Sequence, residues 1–288
     1  MAIQSKPELF ADRLGPGVTF TRRAAPRHAQ RGKAIPYTLI SWLAPLALLV
    51  IWELLGRLGA IPARVLPAPS TVFATAWQFT VSGELPYNLW VSLQRAALGY
   101  LIGGSVALAL GFTVGLSRLA GAIIDRPLQM IRTVPFLALV PMVIVWFGVG
   151  EAAKIFLIAL GVSFSIYMNT VSGIRQVDPR LLELGQIYGV RQRELLQKVI
   201  LPGALPSILI GLRYGMGVSW LALVVAETLA ANAGIGFMAM DAREFLRTDV
   251  IVLTIIIYAL LGVLVDLLFR WLERRLLAWH PNYALRPQ

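Results

Sequence analysis

Long apolar runs restrict this chain more than anything else in it. A hydrocarbon core about 30 Å thick is crossed by about 20 apolar residues in helical form. Six segments reach that length, at about 37–55, 92–116, 128–147, 153–174, 204–231 and 250–271. Inside lipid the backbone must satisfy its own hydrogen bonds, so these runs are expected as helices rather than strands. The implied fold class is all-α, a polytopic membrane protein with six transmembrane helices. Charge supports it: only 14% of the 288 residues are charged, against about 25% in ordinary soluble domains. The third run contains Pro135 and Pro141, which remove backbone donors and should bend it.

The net charge of +11 does not point to nucleic acid, because the basic residues sit in tails and short loops, as the positive-inside rule expects. The tail before the first span, the loop after the second (Arg118, Arg126), the loop after the fourth (Arg175, Arg180, Arg191, Arg193, Lys198) and the C-terminal end (Arg270, Arg274, Arg275, Arg286) are the basic regions. Six crossings place all four on one side. Both termini are therefore expected in the cytoplasm. Residues 1–36 carry seven Lys/Arg against Glu8 and Asp12, with no apolar stretch of a signal peptide. They resemble a mitochondrial targeting segment in composition, but a disordered cytoplasmic tail is the plainer reading. Residues 281–288 form a second short tail, leaving 37–280 as the membrane domain. There is no cysteine, and the two histidines, His28 and His280, lie near the ends. No metal site or cofactor is expected.

On the opposite side, Ser70 is expected to cap a short surface helix over residues 71–80. The stretch 232–249 reads as a glycine turn followed by a second short amphipathic helix. Glycine pairs four apart, Gly99/Gly103, Gly111/Gly115 and Gly211/Gly215, let helices approach closely and suit a tight bundle or a dimer.

The loop 181–202, LLELGQIYGVRQRELLQKVILP, is polar and patterned where a plain connection would be shapeless. Two short helices are expected, 181–190 and 192–200, with Gly185 and Gly189 on one face of the first for close approach by another group. Glu183 then falls in the first turn, where a carboxylate favours the helix dipole. Leu195, Leu196, Val199 and Ile200 form the apolar side of the second, and Pro202 is expected to end it. Such a hairpin either rests on lipid headgroups or docks a soluble partner.

At these residues a family resemblance enters. Glu183, Leu184, Gly185, Gly189, Val199, Leu201 and Pro202 resemble the EAA loop of binding-protein-dependent ABC importer permeases, with Leu184 and Gly185 in place of two alanines and Val199 in place of isoleucine. SLQRAALGYLIGG (92–104), LQMIRTVPFLALVPMVIVWFGVGE (128–151), MNTVSGIRQVDPRLLELG (168–185) and GLRYGMGVSWLALVVAE (211–227) resemble the nitrate/sulfonate/taurine branch of that family. MDAREFLRTD (240–249) and RRLLAWHPNY (274–283) are most similar to its aliphatic sulfonate permeases.

The resemblance implies a type I ABC importer permease (MetI-like) fold in a bacterial inner membrane. It implies a homodimeric pore, a cytoplasmic ATPase dimer docked on loop 181–202, and an extracytoplasmic substrate-binding protein. The cargo implied is aliphatic sulfonates or related small organic anions; taurine, nitrate, bicarbonate or another small anion is the alternative.

Polar groups within spans are functional candidates. Ser163, Ser165, Asn169 and Ser219 are candidate pore-lining groups. Arg213 either snorkels to the inner interface, the simpler reading, or adds positive potential for an anion. Glu227 is read as a structural hydrogen-bond partner ahead of a gating group, and Asp266 with Arg270 as a local ion pair. Trp146 and Trp220 suit packing or the membrane interface rather than a ligand. The chain has no G-x4-G-K-[ST] loop, so it is not expected to hydrolyse ATP itself; the resemblance implies that a separate ATPase subunit does. An ATP-independent secondary transporter would want ion-coupling acids at midplane. An intramembrane enzyme would want a His, a Cys or paired acids in the spans, and the spans offer no His or Cys.

Overall fold

The computed structural model describes residues 37–279; the expected tails 1–36 and 281–288 lie outside them. Two compact units divide the chain, Met1–Leu48 and Leu49–Gln288. The first contributes the opening turns of α1 (Tyr37–Arg57), and the rest of that helix and every later element belong to the second. No strand occurs among the described residues.

In chain order come α2 (Pro69–Val81), α3 (Glu84–Leu116), a single turn α4 (Arg118–Ala120), α5 (Arg126–Arg132), α6 (Phe136–Phe147), α7 (Glu151–Arg175), α8 (Pro179–Ile187), α9 (Gln192–Leu195), α10 (Leu201–Ala230), α11 (Ile235–Glu244) and α12 (Thr248–Leu276). π turns at Gly121–Asp125 and Leu196–Ile200 join α4 to α5 and α9 to α10. Each π turn precedes a proline, Pro127 or Pro202. Proline lacks a donor and crowds the carbonyl four residues back, and a widened turn relieves both. Pro202 therefore does not end its helix, as the sequence suggested. The helix runs on from Gln192 to Thr228, 37 residues.

Four helices are long and apolar enough to cross a membrane, and the bent pair 118–132 with 136–147 adds a fifth. The expected six requires α1 as well, at 21 residues. The third expected span is not one straight helix. It turns by 100°, and the break falls at Pro135 while Pro141 sits within α6.

Close glycine contacts fix the helix directions. A Cβ at Gly99 would stand 2.6 Å from that of Ile158, and one at Gly111 would stand 2.7 Å from Thr170. Gly103 lies against the Ala159 carbonyl, and a Cβ at Gly115 would stand 2.7 Å from Ile174. Residue numbers rise together, so α3 and α7 are parallel neighbours. Parallel neighbours in a membrane need an odd number of crossings between them. The bent segment supplies it: Gly121 lies beside Arg175, Phe136 beside Gly161, and Phe147 against Phe156. It therefore climbs the whole length of α7 in the opposite sense and is a broken crossing, not a re-entrant loop.

α10 returns antiparallel, with Gly173 against Ser207 and Ala204, Gly211 against Asn169, and Gly161 facing Ala222. All three glycine pairs thus serve contacts within one chain rather than a seam for a dimer. Around these helices the core gathers Ala107, Val114, Ile158, Val162, Ile166 and Leu223. Trp220 packs beside that core, whereas Trp146 is exposed.

At the end of the bundle opposite α8, two short helices close over the spans, with Phe79 of α2 packing among Ile235, Met238 and Ala242 of α11 and Val250 of α12. Ser70 is not the cap of α2. The helix begins at Pro69 after Ala68, and the Ser70 amide donates to the Glu53 carboxylate at 3.0 Å. Thr75 Oγ1 donates to Asp249 at 2.7 Å, tying α2 to the start of α12.

Candidate functional site: an exposed hairpin and an ion-pair network at opposite ends

The hairpin is built from its caps. Asp178 Oδ1 accepts from the Arg180 amide at 2.9 Å, and Pro179 takes the first helical position. The helix therefore starts earlier than residue 181, and Glu183 sits past the first turn. Glu183 is exposed, and its carboxylate makes no hydrogen bond or ion pair with the described residues.

α8 stops at Gly189, whose φ is +69°. The Gly189 amide donates to Gln186 O at 3.0 Å and the Val190 amide to Gly185 O at 2.9 Å, the bond pattern of a glycine-terminated helix. The two glycines thus do different work from the shared face expected. Gly189 meets open space and is required for its backbone angle, while Gly185 makes room for the side chain of Leu195 on α9. Leu195 is buried, and Val199 and Ile200 are half-buried. Ile200 packs beside Ile174, Ala204 and Ile208.

Outward, α8 presents Leu181, Leu184 and Tyr188 along one face, flanked by Ile187; Ile187 is 79% and Tyr188 81% exposed. Leu201 is 39% exposed and Pro202 half-buried. A short helix held at both ends, with an uncovered apolar face and an unpaired acid, is equipped to seat in a groove.

The network at the other end was largely hidden in the sequence. Glu227 is buried at 1% exposure. Its Oε1 accepts from Arg95 Nη1 at 2.8 Å and Ser92 Oγ at 2.8 Å, and its Oε2 from the Gly236 amide at 2.9 Å. Arg95, 5% exposed, turns its Nε and Nη2 to Glu151 at 2.6 Å each and donates to the Ala233 carbonyl at 2.6 Å. Lys154 Nζ reaches Glu151 at 2.9 Å. Asn88 Oδ1 accepts from the Gly234 amide at 2.7 Å, and Ser92 Oγ from the Ile235 amide at 2.8 Å.

Gly234, at φ +117°, lies directly over the Glu227 carboxylate, where a Cβ has no room. Asn88, Ser92 and Arg95 of α3 and Glu227 of α10 thus hold the 233–236 turn, and Glu151 and Lys154 tie α7 to the same arginine. Glu227, read from the sequence as a structural hydrogen-bond partner ahead of a gating group, holds these buried bonds. Arg95, Glu151 and Lys154 were missed as a group, although Arg95 and Lys154 are charges inside or beside apolar runs, the signal that should have singled them out.

Of the remaining candidates, Ser163 Oγ donates to the carbonyls of Gly103 at 3.1 Å and Ala159 at 2.6 Å, within the α3–α7 contact. Ser219 is fully buried and donates to Met216 O at 2.7 Å, so it presents no surface to a conduit in this conformation. Asn169 Nδ2 donates to Ser165 O at 2.9 Å, and both residues are half-buried. Arg213 turns toward the acids of α12. It is paired with Asp266 and lies 3.6 Å from Glu273, and Arg270 Nε donates to Asp266 at 2.7 Å as expected. The four charges cancel, which removes free positive potential at Arg213.

A bundle of apolar helices with one broken crossing, a tightly clamped far end and a capped, exposed hairpin at the near end is the architecture of a multi-pass membrane protein. The chain belongs to the family of binding-protein-dependent transport system inner membrane components, whose model matches residues 88–278. It is 50% identical over 245 residues, 85% of this chain and 93% of the relative, to SsuC of Escherichia coli (strain K12), which bears the name of an aliphatic sulfonates transport permease protein. SsuC of Bacillus subtilis (strain 168), named likewise, is 45% identical over 84% of this chain and 87% of its own length. TauC of Escherichia coli (strain K12), named as a taurine transport system permease protein, is 38% identical over 81% of this chain and 86% of its own. Among solved structures, an amino acid ABC transporter superposes with a TM-score of 0.58 at 19% identity, over 70% of this chain and 96% of that one. That likeness shows the shared fold.

Proposed function

We propose that this chain is the transmembrane subunit of an ATP-driven importer, that two copies form the conduit, and that the cargo is aliphatic sulfonates or related small organic anions. The exposed apolar face of α8 carries this reading. Its Leu181, Leu184, Ile187 and Tyr188 face outward on a helix held by an N-cap at Asp178 and a glycine cap at Gly189. An ATPase groove that covers them satisfies a surface that water does not favour.

The mechanics follow from helix continuity. Residues 192–228 form one helical rod about 55 Å long, and Gly185 lets α8 lock onto its first turn through Leu195. Displacement of α8 by closing ATPase subunits then tilts α10, and with it the α7 surface packed along it. Rigid-body switching of this kind requires a stiff lever. The basic residues gathered at the hairpin end support a cytoplasmic position for the hairpin and both termini. The opposite end, closed by α2 and α11, then faces the soluble binding protein.

Cargo is inferred from the relatives. Those named for aliphatic sulfonates are 45–50% identical, whereas those named for taurine and bicarbonate are 38% and 32% identical. The test is uptake of radiolabelled ethanesulfonate into liposomes holding the permease, with its ATPase and binding protein added or withheld. The expected result is uptake that needs all three and ATP. Uptake persisting without the ATPase would overturn the reading in favour of a solo carrier.

A further inference from the structure

Arg95 and Lys154 converge on a carboxylate that the fold does not need to bury. A cavity of about 500 Å³ opens between α3 and α7 at the end opposite the hairpin, walled by Arg95, Lys154, Glu151, Gln94, Tyr87 and Asn232. Both cations are 5% exposed, yet the Glu151 side chain that joins them is 59% exposed. One Glu151 oxygen accepts from Arg95 Nη2 and Lys154 Nζ, at 2.6 and 2.9 Å, and the other from Arg95 Nε at 2.6 Å. The fork and ammonium therefore frame a seat for a planar or tetrahedral oxyanion.

Glu151 stands at the first position of α7, directly after Gly148–Val149–Gly150. Gly148 has φ +72°, and neither glycine has any atom within 4 Å of where a Cβ would lie. The lead-in to Glu151 is thus uncrowded. Glu227, buried and bonded to Ser92 and Gly236, cannot leave in the same way. With Glu151 turned out, the two cations and Glu227 leave one net positive charge facing the cavity.

We propose that this cavity is a transient binding site for a singly charged oxyanion of the sulfonate or phosphate-ester type, and that Glu151 is its built-in competitor. The anion takes the Arg95 fork and the Lys154 ammonium while Glu151 swings to solvent. Release follows when Glu151 returns. A competitor inside the protein keeps affinity low, which suits a conduit that must let its cargo go. The inference rests on the reading of this chain as a permease for small organic anions. The same chemistry also fits the phosphate of an anionic lipid.

The experiment uses the full-length permease in nanodiscs of zwitterionic lipid and measures equilibrium binding of radiolabelled ethanesulfonate. Glu151→Gln is expected to bind about tenfold more tightly than the unaltered chain, the worth of one charge-assisted hydrogen bond. Lys154→Gln, alone or added to Glu151→Gln, is expected to remove binding at the site. Binding unchanged in Glu151→Gln, or a gain that survives Lys154→Gln, would overturn the proposal. If Glu151→Gln is not recovered folded, the unaltered chain against Lys154→Gln still decides it, since equal binding by those two refutes the site.

Repeating the Glu151→Gln measurement with phosphatidylglycerol in the nanodisc separates the two sources. Loss of ethanesulfonate binding identifies lipid phosphate as an occupant, and retention identifies the soluble anion. ATP-driven uptake is assayed separately, so a failure of the importer reading is not confused with a failure of this site.

Discussion

Glu227 and Glu151 contact the same arginine, and the structure predicts very different consequences for neutralising each. In Glu227→Gln the side chain keeps its shape but loses one of two acceptor oxygens. Glu227 Oε1 serves Arg95 and Ser92, and Oε2 serves the Gly236 amide. An amide offers one oxygen, so a buried donor is left facing an NH2 group, at a cost of about 1–3 kcal/mol. Arg95, 5% exposed, also loses its buried counter-charge, and breaking a buried pair in this way costs about 3–5 kcal/mol in total.

Glu151 is 59% exposed at its side chain, and a pair so open to water is worth about 0–1 kcal/mol. A chain of this size shifts by about 2–4 °C per kcal/mol. Thermal unfolding of the purified permease, followed by tryptophan fluorescence, should therefore show a midpoint lowered by about 10 °C for Glu227→Gln. The Glu151→Gln midpoint should move by no more than about 4 °C. Equal shifts, or a larger one for Glu151→Gln, would refute the argument that burial sets the worth of each carboxylate.

Three further outcomes are expected. Gly103→Val places side-chain atoms on the Ala159 backbone, so α3 and α7 must part at a cost of about 1–3 kcal/mol or more; a midpoint within about 1–2 °C of the unaltered protein would contradict the parallel packing. At Gly189, where φ is +69° and the surroundings are open, Ala and Trp bear the same backbone penalty of about 1–2 kcal/mol. Copurification of the ATPase should fall far more with Trp than with Ala, because only the indole obstructs a docked partner; equal losses would mean that the conformation alone matters. Leu184→Asp leaves the bundle untouched, since that side chain is 49% exposed; it should insert normally yet lose ATPase association, and retained copurification would count against docking through α8.

Sequence reading reached the elements whose cause is local. Hydropathy over about 20 residues marks a span whatever surrounds it, so α7, α10 and α12 lie close to their expected bounds, while α3 ends where expected but begins at Glu84, ahead of the expected 92. Pro135 marked the bend because proline acts on its own helix. The hairpin was legible because residues 181–202 are polar between two apolar runs. Its glycines were misread for want of three-dimensional context. Spacing places Gly185 and Gly189 on one face, but only the folded hairpin shows that one makes room for Leu195 and the other adopts a left-handed turn.

By itself, then, the sequence determined that this chain crosses a membrane repeatedly as helices, where one crossing breaks, and which connection is patterned rather than plain. Tertiary structure alone decided that α3 and α7 run in parallel, that the glycine pairs are used within the chain, and that Arg95 meets Glu227 across 132 residues. The reason is range. Solvation and backbone sterics act over a helical turn or a span and leave a periodic trace. A buried ion pair depends on which helices become neighbours, and nothing in either residue's own surroundings in the chain records that choice.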